Sequence, residues 1–173
     1  MKHSRLFLFL TFISFVGLSR LLNAQFTGKQ SDWKGFKKTV FKVGEYEAFV
    51  VQPKEPAKDK PWVWRARFPT YHTEIDEMLL RDGYHVAHVN AGRRLGSPTA
   101  LKIWKQFYNL LTNKHGFNKK VVLEGVSRGG LYVYRWAKAY PETVACMYND
   151  TPVCDFKSWP GGKGVGKGAQ GEW

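Results

Sequence analysis

Residues 120–139 constrain this chain more than any other segment. They read Lys-Val-Val-Leu-Glu-Gly-Val-Ser-Arg-Gly-Gly-Leu-Tyr-Val-Tyr-Arg-Trp-Ala-Lys-Ala, an apolar run, a Gly-x-Ser-x-Gly and then a helical pattern. Val121, Val122 and Leu123 show no polar alternation, as expected of a short parallel strand covered on both faces. Gly129 to Tyr140 reads as a helix stopped by Pro141. A serine forced into a sharp turn between such a strand and helix needs little bulk two positions to either side, and Gly125 and Gly129 supply that around Ser127. The bland alternative is a glycine-rich turn whose serine only caps the helix. The strand before it and the helix after it favour an exposed nucleophile.

All five histidines, His3, His72, His85, His88 and His115, precede Ser127. Sites built on this kind of turn take their acid and then their histidine from sequence after the serine. A serine hydroxyl is a poor nucleophile near neutral pH unless an imidazole accepts its proton. The chain is therefore expected either to be part of an enzyme or to have lost the activity, and as given to show no turnover. Residues 159–173 are rich in glycine and end on no regular element, which favours a fragment.

Residues 1–24 open on Met-Lys-His-Ser-Arg, continue through an apolar core to Leu18 and reach Leu22-Asn23-Ala24. This is the pattern of a secretory signal peptide, cleaved after Ala24, with an apolar core shorter than the roughly 20 residues of a membrane span. The expectation is one exported domain, 25–173, secreted or periplasmic and without a stable membrane anchor. Export permits a disulfide between Cys146 and Cys154, although a cysteine within an apolar strand is more often a small buried hydrophobe. The formal net charge is +13, with the lysines spread along the chain. Export and the lack of any recognition motif argue against nucleic acid as partner. A basic rim that attracts acidic substrates, such as uronic-acid-bearing polysaccharide, stands beside the plainer reading of a solvated basic surface.

Along the rest of the chain, a polar lead-in around Ser31 and Asp32 precedes two β-prone runs, Thr39–Val43 and Tyr46–Val51, split by Gly44-Glu45 as in a hairpin. Pro61–Phe68 reads as a third strand. His72–Asp82 reads as a helix with Ile75, Met78 and Leu79 at helical spacing, stopped by Gly83, and Tyr84–Val89 as a fourth strand. Ser97-Pro98 is an N-cap followed by proline at the first helical position. The helix it opens has a wide apolar stripe including Trp104, Phe107 and Leu111. Thr143–Tyr148 is a sixth strand. Strands alternating with helices imply a largely parallel α/β sheet covered on both faces. This order, with the segments Trp-Arg-Ala-Arg-Phe, Leu-Gly-Ser-Pro, Glu-Gly-x-Ser-Arg-Gly-Gly and Lys-Ser-Trp-Pro-Gly-Gly-Lys, resembles the first six strands of the α/β-hydrolase fold. The likeness is to secreted bacterial members of the esterase and prolyl-oligopeptidase branch, and it extends over nearly all of 25–173.

The resemblance implies a carboxylic-ester hydrolase with Ser127 as nucleophile, a small-molecule or polysaccharide-linked ester as substrate, and no cofactor. A serine peptidase and a noncatalytic module that kept the fold are the alternatives. One oxyanion-hole donor falls to the backbone N–H of Arg128, and a second to the loop after the third strand, near Arg67 or Phe68. There Ala66-Arg67 replaces the family's common His-Gly. Arg65 and Arg67 could instead clamp a substrate carboxylate, or be ion-paired. Asp150 is the candidate acid nearest the turn; Asp155 lies further into the following loop. His85 and His88 fall on opposite faces of a strand, so no shared metal is expected. Gly161–Gly168 lacks the hydroxyl residue and the preceding strand of a phosphate loop and reads as a flexible connection.

Overall fold

The computed structural model of the chain describes residues 25–169 and Gly171; the expected leader, 1–24, lies outside the described residues. The elements run β1 (Lys29–Trp33), β2 (Phe36–Val43), β3 (Tyr46–Gln52), β4 (Trp62–Arg65), α1 (Glu74–Arg81), β5 (His85–Val89), α2 (Pro98–Asn109), β6 (Val121–Val126), α3 (Gly130–Ala139) and β7 (Val144–Asp150). The strands form one sheet in the order β1-β2-β3-β5-β4-β6-β7. The first three pair antiparallel, β3 meets β5 antiparallel, and β5, β4, β6 and β7 run parallel to one another.

The expected strands are present, with β1 added in front of them. Its residues Lys29 to Asp32 are exposed, so no alternation announced it. It forms because Lys34 and Gly35 both take positive φ, 53° and 84°, the two-residue turn whose twist matches paired strands. The β2–β3 hairpin closes through Gly44 at φ 61°, with Gly at the first turn position. The third expected strand stops at Arg65 rather than Phe68, because the chain leaves the sheet at Ala66 and Phe68 takes φ 52°. That departure creates the loop beside Ser127.

Period-two alternation sorts the sheet into two cores. On one side Trp62 and Trp64 of β4 lie under Trp104, Phe107 and Leu111 of the α2 segment and under Val133 and Trp136 of α3. On the other side Phe49, Val51 and Val86 pack with Phe36 and with Leu80 of α1. The second side corrects the expected face of α1. Ile75 and Met78 are exposed, while Asp76 and Leu80, one turn apart, are buried. Asp76 is drawn inward by the guanidinium of Arg65.

The glycine-rich segment after β7 folds back on itself, with Ala169 N donating to Pro160 O at 2.8 Å and Lys163 N to Lys157 O at 2.9 Å. It is a hydrogen-bonded turn, not an open connection. Cys146 and Cys154 are exposed, free thiols. No helix among the described residues is long and apolar enough to cross a membrane.

Candidate active site

Strand β6 ends at Val126, and Ser127 follows at φ 49°, a left-handed conformation rare for a residue with a side chain. Ser127 to Gly129 form one tight turn before α3 begins. The Ser127 carbonyl accepts hydrogen bonds from the backbone N–H of Gly130 and of Val153, the latter at 2.8 Å. The turn is therefore anchored from both sides while its serine stays half-exposed.

Its steric demands fall partly where the Gly-x-Ser-x-Gly pattern puts them. A Cβ on Gly125 would stand 2.4 Å from Asn149 Oδ1 and 2.8 Å from a Val133 methyl. On Gly129 it would meet only ordinary contacts, 3.5 Å to the Cβ atoms of Ala66 and Arg67. The second strict glycine is Gly130, where a Cβ would lie 2.7 Å from both Pro152 Cβ and the Val153 carbonyl oxygen. We expect Gly129→Ala to leave stability nearly unchanged and Gly130→Ala to cost about 1–3 kcal/mol in urea unfolding. The reverse ranking would remove this account of the turn.

The Arg67 backbone nitrogen lies 3.7 Å from the position of a Cβ on Gly129, which sets this amide against the turn. Phe68 directs its carbonyl inward, to Arg65 Nη2 at 3.2 Å, and its ring lies 5.4 Å from the Arg128 guanidinium and 5.7 Å from that of Arg67. Arg67 Nη1 donates to Gly92 O at 2.9 Å. Asp150 is the register partner of Val126, so it stands one strand across from the residue before Ser127. It lines a cavity of about 200 Å³ together with His72, Glu74 and Glu124.

Arg65 is not a substrate contact. It is 1% exposed and ion-paired with Asp76 and, at 3.3 Å, with Glu124, its register partner on β6. It also donates to the carbonyls of Phe68, Tyr71 and His72, tying the loop after β4 to the strand that carries Ser127. Burial pushes both carboxyls up, against the pull of the Arg65 charge, and Glu124 reaches about 7. Asp76 Oδ1 and Glu124 Oε2 are both buried without a hydrogen-bond partner. Two buried acids thus stand beside one buried cation, and the charge of Asp76 adds to the push on Glu124.

Among the described residues no histidine has a hydrogen bond to Ser127. His85 and His88 are buried and held neutral, each with a pKa lowered to about 4 by desolvation. His88 Nδ1 is bound to the Arg65 carbonyl at 2.8 Å. His115 is buried and stacked on Phe26 with ring centroids 3.8 Å apart. His72 is exposed, with Glu74 at 3.8 Å. Among the described residues no group of His, Cys, Asp and Glu is arranged to hold a metal ion.

No family model and no curated protein matches the chain at the level of sequence. Solved structures do. The acetyl xylan esterase from Aspergillus awamori matches with a TM-score of 0.51 and 15% identity over 64% of this chain and 50% of its own. A cold-adapted esterase from an Arctic intertidal metagenomic library gives 0.53 and 12% over 73% and 63%. A structure from Bacteroides ovatus assigned as a dipeptidyl aminopeptidase IV gives 0.56 and 18% over 75% and 22%. This chain has the α/β-hydrolase fold. It spans about half the length of the Aspergillus esterase and 44% of an Acinetobacter baumannii lipase that it also matches. Within that fold Ser127 occupies the strand-to-helix turn after β6, an interior parallel strand. The loop 66–73 follows β4, the strand beside β6.

Proposed function

We propose that the chain is the nucleophile-bearing part of an exported serine hydrolase that cleaves carboxylic esters through an acyl-enzyme on Ser127. The observation that carries this is Ser127 itself, held at φ 49° between β6 and α3 with the Arg67 amide set against the same turn. Strained, half-exposed serines of this kind cost stability and persist where the surrounding structure fixes them for a task. In the proposed reaction Ser127 Oγ attacks the ester carbonyl carbon as a base takes its proton. The oxyanion is met by the backbone N–H groups of Arg128 and Arg67. Collapse of the tetrahedral intermediate breaks the bond to the leaving alkoxide, which takes the proton, and water then releases the acid from Ser127.

None of His72, His85, His88 and His115 is assigned as the base, which is proposed to come from sequence beyond these residues, in keeping with the half-length span of the match. Asp150 is the candidate acid within the chain. The likeness to the Bacteroides ovatus structure keeps a serine peptidase as the second reading, since the same machinery serves an amide. Residues 1–24 are proposed as the export leader. The test is to treat the full-length protein with a fluorophosphonate probe and map the adduct by mass spectrometry. Labelling is expected on Ser127 and lost in Ser127→Ala; an adduct elsewhere, or none, overturns the assignment.

A further inference from the structure

A cavity of about 720 Å³ opens beside the first turns of α3, a volume within the ordinary range of small-molecule sites. Four cations line it, Arg93 and Arg94 from the loop before α2, and Arg135 and Lys138 from α3. Leu131 and Phe156 supply apolar wall. Among the described residues no carboxylate lines it. Asp155, next to Phe156, turns its Oδ1 to the Lys157 backbone N–H at 2.9 Å.

The cationic loop is fixed in place. The Tyr132 hydroxyl donates to Gly92 O at 2.9 Å and accepts from Leu95 N at 3.0 Å. Gly96, at φ 71°, lies so close to α3 that a Cβ there would stand 2.4 Å from the Leu131 carbonyl oxygen. Arg94 donates to Ala91 O at 3.0 Å with its guanidinium 5.2 Å from the Tyr46 ring, so its position is fixed. Like charges gathered around one concavity repel each other and favour a ligand that brings the opposite charge.

We propose that this cavity is a subsite for the anionic part of the substrate, a carboxylate, sulfate or phosphate group on an apolar body. The forked guanidinium groups suit two-oxygen anions, and Leu131 and Phe156 suit the body that carries them. Leu131, the lining residue on α3 nearest to Ser127 in the chain, is the second residue of that helix and about one turn on from Ser127, and the lining continues along the helix to Lys138. The subsite rests on the hydrolase reading for its role, but its ligand chemistry can be measured without turnover.

The experiment is calorimetric titration of the protein with isophthalate, phenyl phosphate and uncharged benzamide at 50 mM and 500 mM salt. At least one anion should bind, and the choice between them identifies carboxylate or phosphate chemistry. Benzamide should not bind, and high salt should weaken the anion about tenfold or more. Arg135→Gln with Lys138→Gln, both at exposed positions, should weaken anion binding at least tenfold. Lys119→Gln with Lys120→Gln, an equal change of charge elsewhere on the surface, should leave it within twofold. Absence of anion binding, equal binding of benzamide, or equal losses in the two double variants overturns the subsite. Anion binding without fluorophosphonate labelling of Ser127 would instead overturn the hydrolase reading and leave the anion site standing.

Discussion

Arg65→Met is expected to destabilise the protein by about 3–5 kcal/mol at pH 8, because it leaves two buried acids without their cation. The same change removes the donor to the carbonyls of Phe68, Tyr71 and His72, while methionine fills much of the volume. The penalty should shrink at pH 5. Asp76 and Glu124 already have raised folded-state pKa values, so the stability tied to their protons is present at low pH and lost as pH rises, for Glu124 from about 4.5 to about 7. Removing the cation raises both further, which makes the variant's deficit grow with pH. The lowered pKa values of His85 and His88 act in the opposite sense, since the unfolded chain takes their protons between about 6.5 and about 4. The His85 contribution is common to both proteins; the Arg65 charge is among the causes that lower His88, so its removal eases that low-pH penalty in the variant and also shrinks the deficit at pH 5. Urea midpoints of wild type and variant at pH 5 and pH 8 check this; a penalty independent of pH would mean that the cluster does not hold a proton.

Trp64→Ala should cost about 3–5 kcal/mol, the range for removing a large aromatic side chain from a packed core. Trp64 is fully buried at the centre of an aromatic cluster, stacked on Trp104 at 4.1 Å, with Trp136 edge-on at 5.0 Å and Phe107 at 5.5 Å. Its indole Nε1 is buried with no acceptor, so packing and not a hydrogen bond holds it. Trp64→Phe should therefore cost less than half as much, since it keeps a ring and removes an unsatisfied donor. Thermal unfolding of the two variants tests the distinction. Similar losses from both would show that the shape of the indole, not ring burial as such, decides the stability here.

The parallel core and the turn at Ser127 were legible because unbroken apolar runs, proline caps and glycine spacing are local signals. β1 was not, since an edge strand with outward polar side chains is set by its turn and its partner. The face of α1 was misread for a related reason. Ile75, Met78 and Leu79 have helical spacing, but the buried position went to Asp76 because an arginine waited beneath it. One signal pointed to that cluster. Arg65 and Glu124 each interrupt an apolar strand, and two opposite charges on neighbouring buried strands need one another. The requirement at Gly130 and the placing of the Arg67 amide depend on contacts between distant segments, which no local pattern carries.

The sheet joins two kinds of connection. β1, β2 and β3 are neighbours both along the chain and in the sheet, so their hairpins close short loops. β4 instead lies between β5 and β6, pairing Val63 with Val86 on one side and with Val122 on the other. Those contacts close long loops and meet a larger entropy cost before they give anything back. In kinetic terms, Ser127 belongs to the slow half of the molecule. Its left-handed backbone leans on contacts of that long-loop kind, the pairing of β4 with β6 and the bond from Val153 N to the Ser127 carbonyl. A chain arrested with only its first hairpins formed would own the serine but not yet the turn that displays it.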